Sequence, residues 1–237
     1  MIKIELHTHT ADDPADLIPH STTDLIERAA RLGFGALAIT LHDRQLDLRR
    51  FEDFARDRQV VLIPGIERTI QRKHLLLLNF PGITEQLQSF EDVAILKRDH
   101  PAGIIIAPHA FYPGTTCLRR ELMDRHAHLF DAVEINYFYT RGIDFNRPAR
   151  RWAARHGRPL VGNSDLHRLH QMGRTYSLVD APPDVDAICG EIRAGRVEVR
   201  TAPITMRAAA TYFGDLWIAS VLKTVRQLRP ETQPAAA

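Results

Sequence analysis

The chain opens on an alternation: Ile2, Ile4 and Leu6 are separated by Lys3 and Glu5, which predicts a β-strand with one buried face. The run ends in His7-Thr8-His9-Thr10, and on a continuing strand the two imidazoles would leave from the same side. An acidic loop over 11–16 precedes Leu25, Ile26, Ala29, Ala30 and Leu32, a helical spacing that Ser21, Thr22 or Thr23 can cap and Gly33 can close. Residues 36–41 are almost wholly apolar, as a strand covered on both faces requires, and they run into His42-Asp43. The rhythm then repeats. A helix is predicted near 47–57, a strand over 60–66 ending in Glu67, and a strand over 74–80 that begins with His74. A helix near 84–98 leads to a strand over 103–107 and Pro108-His109. Helices near 118–127 and 144–156 flank a strand over 132–137, and a strand over 159–164 runs into Asp165-Leu166-His167. A strand over 173–179, a helix over 185–193, a strand over 197–200 and a helical stretch from 206 to about 228 complete the pattern.

Strands alternating with helices, with the strands buried on both sides, predict an α/β barrel or a doubly wound sheet. No G-x-G-x-x-G or G-K-[ST] loop follows any strand, which counts against a nucleotide-binding open sheet. His7/His9, His42, Glu67, His109 and Asp165/His167 all stand at carboxyl ends of predicted strands. In a parallel barrel those ends meet on the face where active sites are built. His74 joins that rim if strands three and four form an antiparallel or bulged pair.

Composition narrows the chemistry. The 237 residues are 44% hydrophobic and 25% charged, ordinary for a soluble globular protein. The formal charge of +2 gives no global reason for a polybasic membrane anchor or for long nucleic acid as partner. Cys117 and Cys189 form no zinc-finger spacing, so neither a disulfide scaffold nor a thiolate site is expected, and a reducing cytoplasm is the expected compartment. No secretory leader and no apolar run of membrane-spanning length is seen. Histidine is abundant, at 12. Imidazole and carboxylate without thiolate suit Zn, Mn or Fe in a catalytic site. Glu67 is placed to bridge two ions. Two cations about 3.5–4 Å apart generate a hydroxide nucleophile at neutral pH and clamp the oxygens of a phosphate ester.

Taken in order, His7-Thr8-His9-Thr10, Ile39-Thr40-Leu41-His42-Asp43, Pro64-Gly65-Ile66-Glu67, His74-Leu75-Leu76-Leu77, Ala107-Pro108-His109 and Asn163-Ser164-Asp165-Leu166-His167 resemble the polymerase and histidinol phosphatase (PHP) family. The segment from Gly173 to Thr201 resembles the C-terminal extension of its stand-alone members. The resemblance implies a distorted (β/α)7 TIM-like barrel and a trinuclear metal centre acting on phosphate esters. It implies that His7, His9, Glu67 and Asp165 hold one metal, and that Glu67, His74 and His109 hold a second. His42 and His167 would hold a third with a ligand from the loop after strand one. That loop offers Asp12, Asp13, Asp16 and His20, of which Asp13 is favoured and Asp16 is the alternative. Leu41 replaces the Asp usual in the family and is expected to point away from the metals. Glu134 matches a frequently acidic position and is read as site-lining, against a solvent-facing charge.

Glu67, Asp165 and His167 are expected to carry the catalysis, and Arg44, Arg68, Arg147 and Arg168 are candidates for holding phosphate. His20, His100, His126, His128, His156 and His170 are read as surface residues. The expected function is hydrolysis of a small phosphate ester, nucleotide or short oligonucleotide using two or three divalent ions. The alternatives are an amidohydrolase-like metal-dependent hydrolase of C–N or C–O bonds and a non-catalytic metal-binding module. The barrel core is expected over 1–172, the extension over 173–204, a helix over 205–229 that packs on the core or on a second subunit, and a disordered tail over 230–237.

Overall fold

The computed structural model describes residues 1–211, so the helix and tail expected beyond 211 lie outside the described residues. The strands are β1 (Ile2–Glu5), β2 (Ala36–Ile39), β3 (Val61–Ile70), β4 (Lys73–Leu78), β5 (Ile104–Ala107), β6 (Ala132–Asn136), β7 (Leu160–Asn163), β8 (Tyr176–Val179) and β9 (Val197–Arg200). They form a single sheet in the order β7-β6-β5-β4-β3-β2-β1-β8-β9. β1, β2 and β3 are parallel, as are β5, β6 and β7. β4 runs antiparallel to both its neighbours. The repeat departs from strict (β/α)7 here, because a hairpin rather than a helix joins β3 to β4. Gln71 and Arg72, with φ of 48° and 66°, make the turn in the left-handed conformation that two-residue hairpins favour. The hairpin carries Glu67 and His74 on adjacent strands, with His74 paired to Thr69 and Glu67 to Leu76.

The sheet curls into a nearly closed barrel. On the histidine side, Thr8 bridges Leu166 in parallel, with His9 N donating to Leu166 O at 3.0 Å and Leu166 N to His7 O at 3.1 Å. At the other end β8 intervenes, paired with β1 and pressed against Gly162 of β7. A Cβ at Gly162 would lie 2.7 Å from Tyr176 O, so only glycine lets these backbones approach. Gly162 N instead donates to Ser177 Oγ at 2.8 Å.

Helices cover the outside. α1 (Thr22–Arg31) starts at Ser21, whose side chain accepts from Asp24 N in a capping box, and buries Leu25, Ile26 and Ala29 against Leu37 and Ile39 of β2. The helix expected near 47–57 is interrupted at Phe51, leaving a 3-10 turn at Leu48–Arg50 and the short α2 (Glu52–Arg56). α3 (Phe90–Asp99) begins later than expected because Ser89 and Asp92 form its capping box. With α4 (Arg120–Arg125) and α5 (Asn146–His156) it buries Phe90, Met123 and Trp152 against Leu77, Ile105 and Val133. The barrel interior is a separate apolar cluster fed by all of β1 to β7, including Ile4, Ala38, Ile63, Leu76, Ile106, Ala132 and Val161. Ile188, Cys189 and Ile192 of α6 (Val185–Arg193) join this cluster. Arg193 of α6 donates to Gly103 O ahead of β5, so α6 plugs the end opposite the histidines. Apolar filling below leaves the polar residues at the other end. There Glu5, expected on a solvent face, is fully buried, with Ser164 Oγ donating to it at 2.7 Å.

Candidate metal centre

Each strand end delivers its side chain to the same rim. Glu67 is central and buried, and its two oxygens face different imidazoles. Oε1 accepts from His74 Nδ1 at 2.7 Å and from His109 Nε2 at 3.0 Å. Oε2 lies 3.3 Å from His7 Nε2, 3.3 Å from His9 Nε2 and 3.1 Å from His42 Nε2. Asp165 Oδ1 lies 3.4 Å from His7 Nε2, 3.6 Å from His9 Nε2 and 3.6 Å from His167 Nδ1. Ligand-type atoms lie within 4.8 Å of one another in four groups: His9, His42 and His167; His7, His9 and Asp165; His7, Glu67 and His109; His42, Glu67 and His74. His109 and Asp165 hold left-handed backbone, with φ of 29° and 48°, at a cost of about 1–3 kcal/mol each that the surrounding fold must offset.

The donor set fits divalent ions. His7 Nε2 and His9 Nε2 are buried without a hydrogen-bond partner, although the Glu67 and Asp165 oxygens lie close by. Orphaned buried nitrogens converging with carboxylates is the arrangement a cation would satisfy. The opposite ring nitrogens are anchored. His7 Nδ1 donates to Glu134 Oε2 at 2.8 Å, and His9 Nδ1 and His42 Nδ1 donate to Asp13 Oδ2 at 2.8 and 3.0 Å. His109 Nδ1 lies 3.3 Å from the buried Cys117 Sγ. Such partners fix which nitrogen of each ring faces the centre.

The protonation equilibria point the same way. Burial disfavours charge on His7, His9 and His109, yet their acceptors overcome it: His7 and His109 are raised well above the usual range and His9 is pushed up to about 10. Burial likewise opposes charge on Glu67, Asp13 and Asp165, but the surrounding imidazoles hold all three carboxylates down. Glu5, without an imidazole beside its carboxylate, is pushed up to about 8 by burial. The centre thus holds protons on imidazoles and negative charge on carboxylates, and incoming cations would take the place of the protons.

Asp13 stands apart from the other ligand candidates. Its Oδ2 also accepts from His42 N at 3.0 Å, and its Oδ1 accepts from Ala15 N at 2.8 Å and Asp16 N at 3.1 Å. Both oxygens therefore face protein donors. Asp16, the alternative, lies with Oδ2 3.3 Å from His167 Nε2. Asp12 accepts from Thr22 Oγ1 at 2.9 Å. His20 is not the surface residue expected: it is buried, and its Nε2 donates to His9 O at 2.9 Å. Leu41 packs outward among Leu25, Leu46 and Leu166, as its expected direction requires. Glu134 is fully buried rather than solvent-facing, and also accepts from His109 N, Asn136 Nδ2 and Asn163 Nδ2.

The arginines are dispersed. Arg68 is taken up by Asp43 and Leu87 O, Arg168 donates to His167 O, Arg147 lies 3.7 Å from Asp144, and Arg44 is exposed. Sequence reasoning missed Glu5, Asn136, Asn163 and Cys117. The first had a signal, since a charge on a strand covered on both faces has no solvent to reach.

Residues 144–197 match the family described as PHP-associated. No curated protein matches the chain in sequence. In structure it is similar to a two-domain protein from Bacteroides vulgatus that contains a predicted PHP-like metal-dependent phosphoesterase, with TM-score 0.65 and 18% identity over 84% of this chain and 64% of that one. It is also similar to a lesion-specific endonuclease, EndoQ, from Pyrococcus furiosus, with TM-score 0.58 and 20% identity over 84% of this chain and 57% of that one. A third likeness is to an amidohydrolase from Chromobacterium violaceum, with TM-score 0.53 and 18% identity over 82% of this chain and 97% of that one. The chain thus spans under two thirds of the first two, and at these identities the likeness is one of fold. A PHP-associated segment is thus matched in sequence over residues 144–197, and the barrel is similar in fold to that of a protein containing a predicted PHP-like phosphoesterase.

Proposed function

We propose that this chain is a metal-dependent phosphoesterase acting on a small phosphate ester, nucleotide or short oligonucleotide. The observation that carries this reading is the split of Glu67, whose Oε1 faces His74 and His109 while Oε2 faces His7, His9 and His42. A carboxylate so placed is suited to bridging two cations. In this reading His7, His9, Glu67 and Asp165 hold one ion and Glu67, His74 and His109 a second. His42, His167 and Asp16 hold a third, with Asp13 as the anchor of His9 and His42 in place of a ligand role.

Divalent ions in such a cluster supply a nucleophile from water at neutral pH and positive charge for the phosphoryl oxygens. The chain's own residues set the geometry. Glu134 and Asp13 keep the Nε2 atoms of His7, His9 and His42 turned inward, and the buried rim excludes bulk water. Asp165 and His167 lie at the more open side, each side chain 20% exposed, where a substrate can reach them.

Elemental analysis and phosphate release together test the reading. The wild type should carry two or more metals and release phosphate from an aryl phosphate but no amine from an aryl amide. Glu67→Ala should lose both metals and turnover while its far-UV spectrum is retained. Full metal-dependent turnover by a folded Glu67→Ala protein would refute the bridging role, and amide hydrolysis alone would favour carbon-centred chemistry.

A further inference from the structure

His167 differs from the other imidazoles of the centre in what holds its ring. Side-chain atoms of Glu134, Asp13, Cys117 and Glu67 stand against Nδ1 of His7, His9, His42, His109 and His74. His167 Nδ1 instead donates to Asp165 O at 3.0 Å, a carbonyl of its own loop. The ring is therefore only as fixed as the backbone of 165–168. Asp165 lies there in left-handed backbone at φ of 48°, and Leu166 pairs with the chain just beyond β1. The next two N–H groups converge on one atom: Gln171 Oε1 accepts from His167 N at 2.7 Å and from Arg168 N at 2.6 Å. Gln171 ends the 3-10 turn Leu169–Gln171 and is 2% exposed, so water does not compete for that oxygen.

The amide nitrogen of Gln171 serves a different segment. Nε2 donates to the Tyr137 hydroxyl at 3.0 Å, and Tyr137 packs in an apolar cluster with Ile204 and Ala209. β8 is antiparallel to β1 and β9 to β8, so β9 runs parallel to β1 and delivers the chain after Arg200 to the histidine end of the barrel. There Ile204 N donates to Tyr139 O at 2.8 Å, and Thr201 Oγ1 donates to the Tyr139 hydroxyl at 3.0 Å. Thr205 Oγ1 accepts from Ala208 N at 3.1 Å as a helical turn starts at Met206. A continuous line of contacts thus runs from 201–209 through Tyr137 and Gln171 to the His167 loop.

We propose that Gln171 is a positioning residue for His167, and that through Tyr137 it makes the third metal position depend on the C-terminal segment 201–209. This rests on the reading above in which His42, His167 and Asp16 hold a third ion. With Gln171 in place both N–H groups are matched, Asp165 O stays against His167 Nδ1, and Nε2 faces Asp16 Oδ2 at 3.3 Å. Without that oxygen the loop must find other partners for two N–H groups, and the ring moves with the loop. The ions assigned to the other two positions rest on imidazoles with separate anchors, so the relay bears on one ion.

The test titrates the metal-free full chain with manganese, resolving each binding step, and records the ring-nitrogen NMR signals of its histidines. His167→Gln identifies both the His167 signal and the ion that His167 serves. Gln171→Leu should weaken that ion about 10–100-fold, the range for loss of a partner that orients a metal-binding histidine, and leave the other affinities at their wild-type values. Gln171→Glu, which keeps an oxygen for both N–H groups, should restore it. Tyr137→Phe and Ile204→Ala leave the loop's own bonds in place and serve if Gln171→Leu does not fold. Tyr137→Phe should weaken the same ion about fivefold, the scale of one hydrogen bond, and Ile204→Ala should act in the same direction. Uniform weakening of every ion, no rescue by Gln171→Glu, or wild-type binding in both Tyr137→Phe and Ile204→Ala would overturn the relay. If the wild type takes up no third ion, the reading beneath the relay fails, and NMR of the metal-free chain decides the positioning role alone. Gln171→Leu should then shift the His167 ring signal and leave the remaining ring signals in place, whereas an unshifted His167 signal overturns it.

Discussion

Asp13 is the residue whose replacement separates an anchor from a ligand. Its Oδ2 accepts from His9 Nδ1, His42 Nδ1 and His42 N at 2.8, 3.0 and 3.0 Å, and its Oδ1 accepts from two backbone N–H groups. Asp13→Ala leaves both imidazoles free to turn and all five donors unmatched. Asp13→Asn is hardly milder, since an amide nitrogen must face one of the two donor sets. Loss of a partner that orients a metal-binding histidine costs about 10–100-fold in affinity. Two such histidines together set an upper range of about 10²–10⁴, or about 2.8–5.6 kcal/mol at 1.4 kcal/mol per tenfold. The assay is chelator-competition titration with manganese or zinc, alongside elemental analysis at saturating metal. The expected Asp13→Ala protein still binds the full complement at saturation but weakly, with the deficit spread over the ions that His9 and His42 serve. Clean loss of a single ion, with the remaining affinities unchanged, would show Asp13 to be a ligand and refute the anchoring argument, as would unchanged affinity throughout.

Metal affinity should also rise with pH. In the metal-free protein His7, His9 and His109 have raised pKa values, His9 to about 10, so these rings hold protons at neutral pH that an ion must displace. Titration calorimetry in buffers of different ionisation enthalpy should find more than about one proton released per protein near pH 7, with affinity falling on acidification. Zero release and a flat pH profile would contradict the proton-holding centre. Cys117→Ala should free the Nδ1 edge of His109 and weaken metal binding about tenfold, whereas Cys117→Ser, which keeps a partner there, should recover most of it. Equal affinities in both variants would remove Cys117 from the positioning set.

Much of the centre was legible because barrel chemistry concentrates at strand ends, and strand ends can be read from apolar runs. His7, His9, His42, Glu67, His109 and Asp165/His167 each follow such a run, and the structure brings their side chains together. His74 needed one more inference, the antiparallel hairpin, which the β3–β4 register supplies. The loop after β1 was not legible. Asp12, Asp13 and Asp16 are chemically alike and close in sequence, and only the fold of the loop decides which oxygens meet imidazole and which meet backbone N–H. Glu5 and His20 were misread because a local alternation or a loop position suggests solvent, and burial is set by elements far along the chain. Ser164, which holds Glu5, is 159 residues away.

By itself the sequence determined the α/β class, the rim and the identity of nearly every imidazole and carboxylate on it, because periodicity and side-chain chemistry are local properties. Tertiary structure alone decided how those groups divide into inward-facing atoms and their anchors, that the two oxygens of Glu67 look opposite ways, and that Gln171 joins the His167 loop to Tyr137. Those are relations between distant segments. They exist only once the hairpin turns, β8 presses against Gly162 and the barrel draws its ends together.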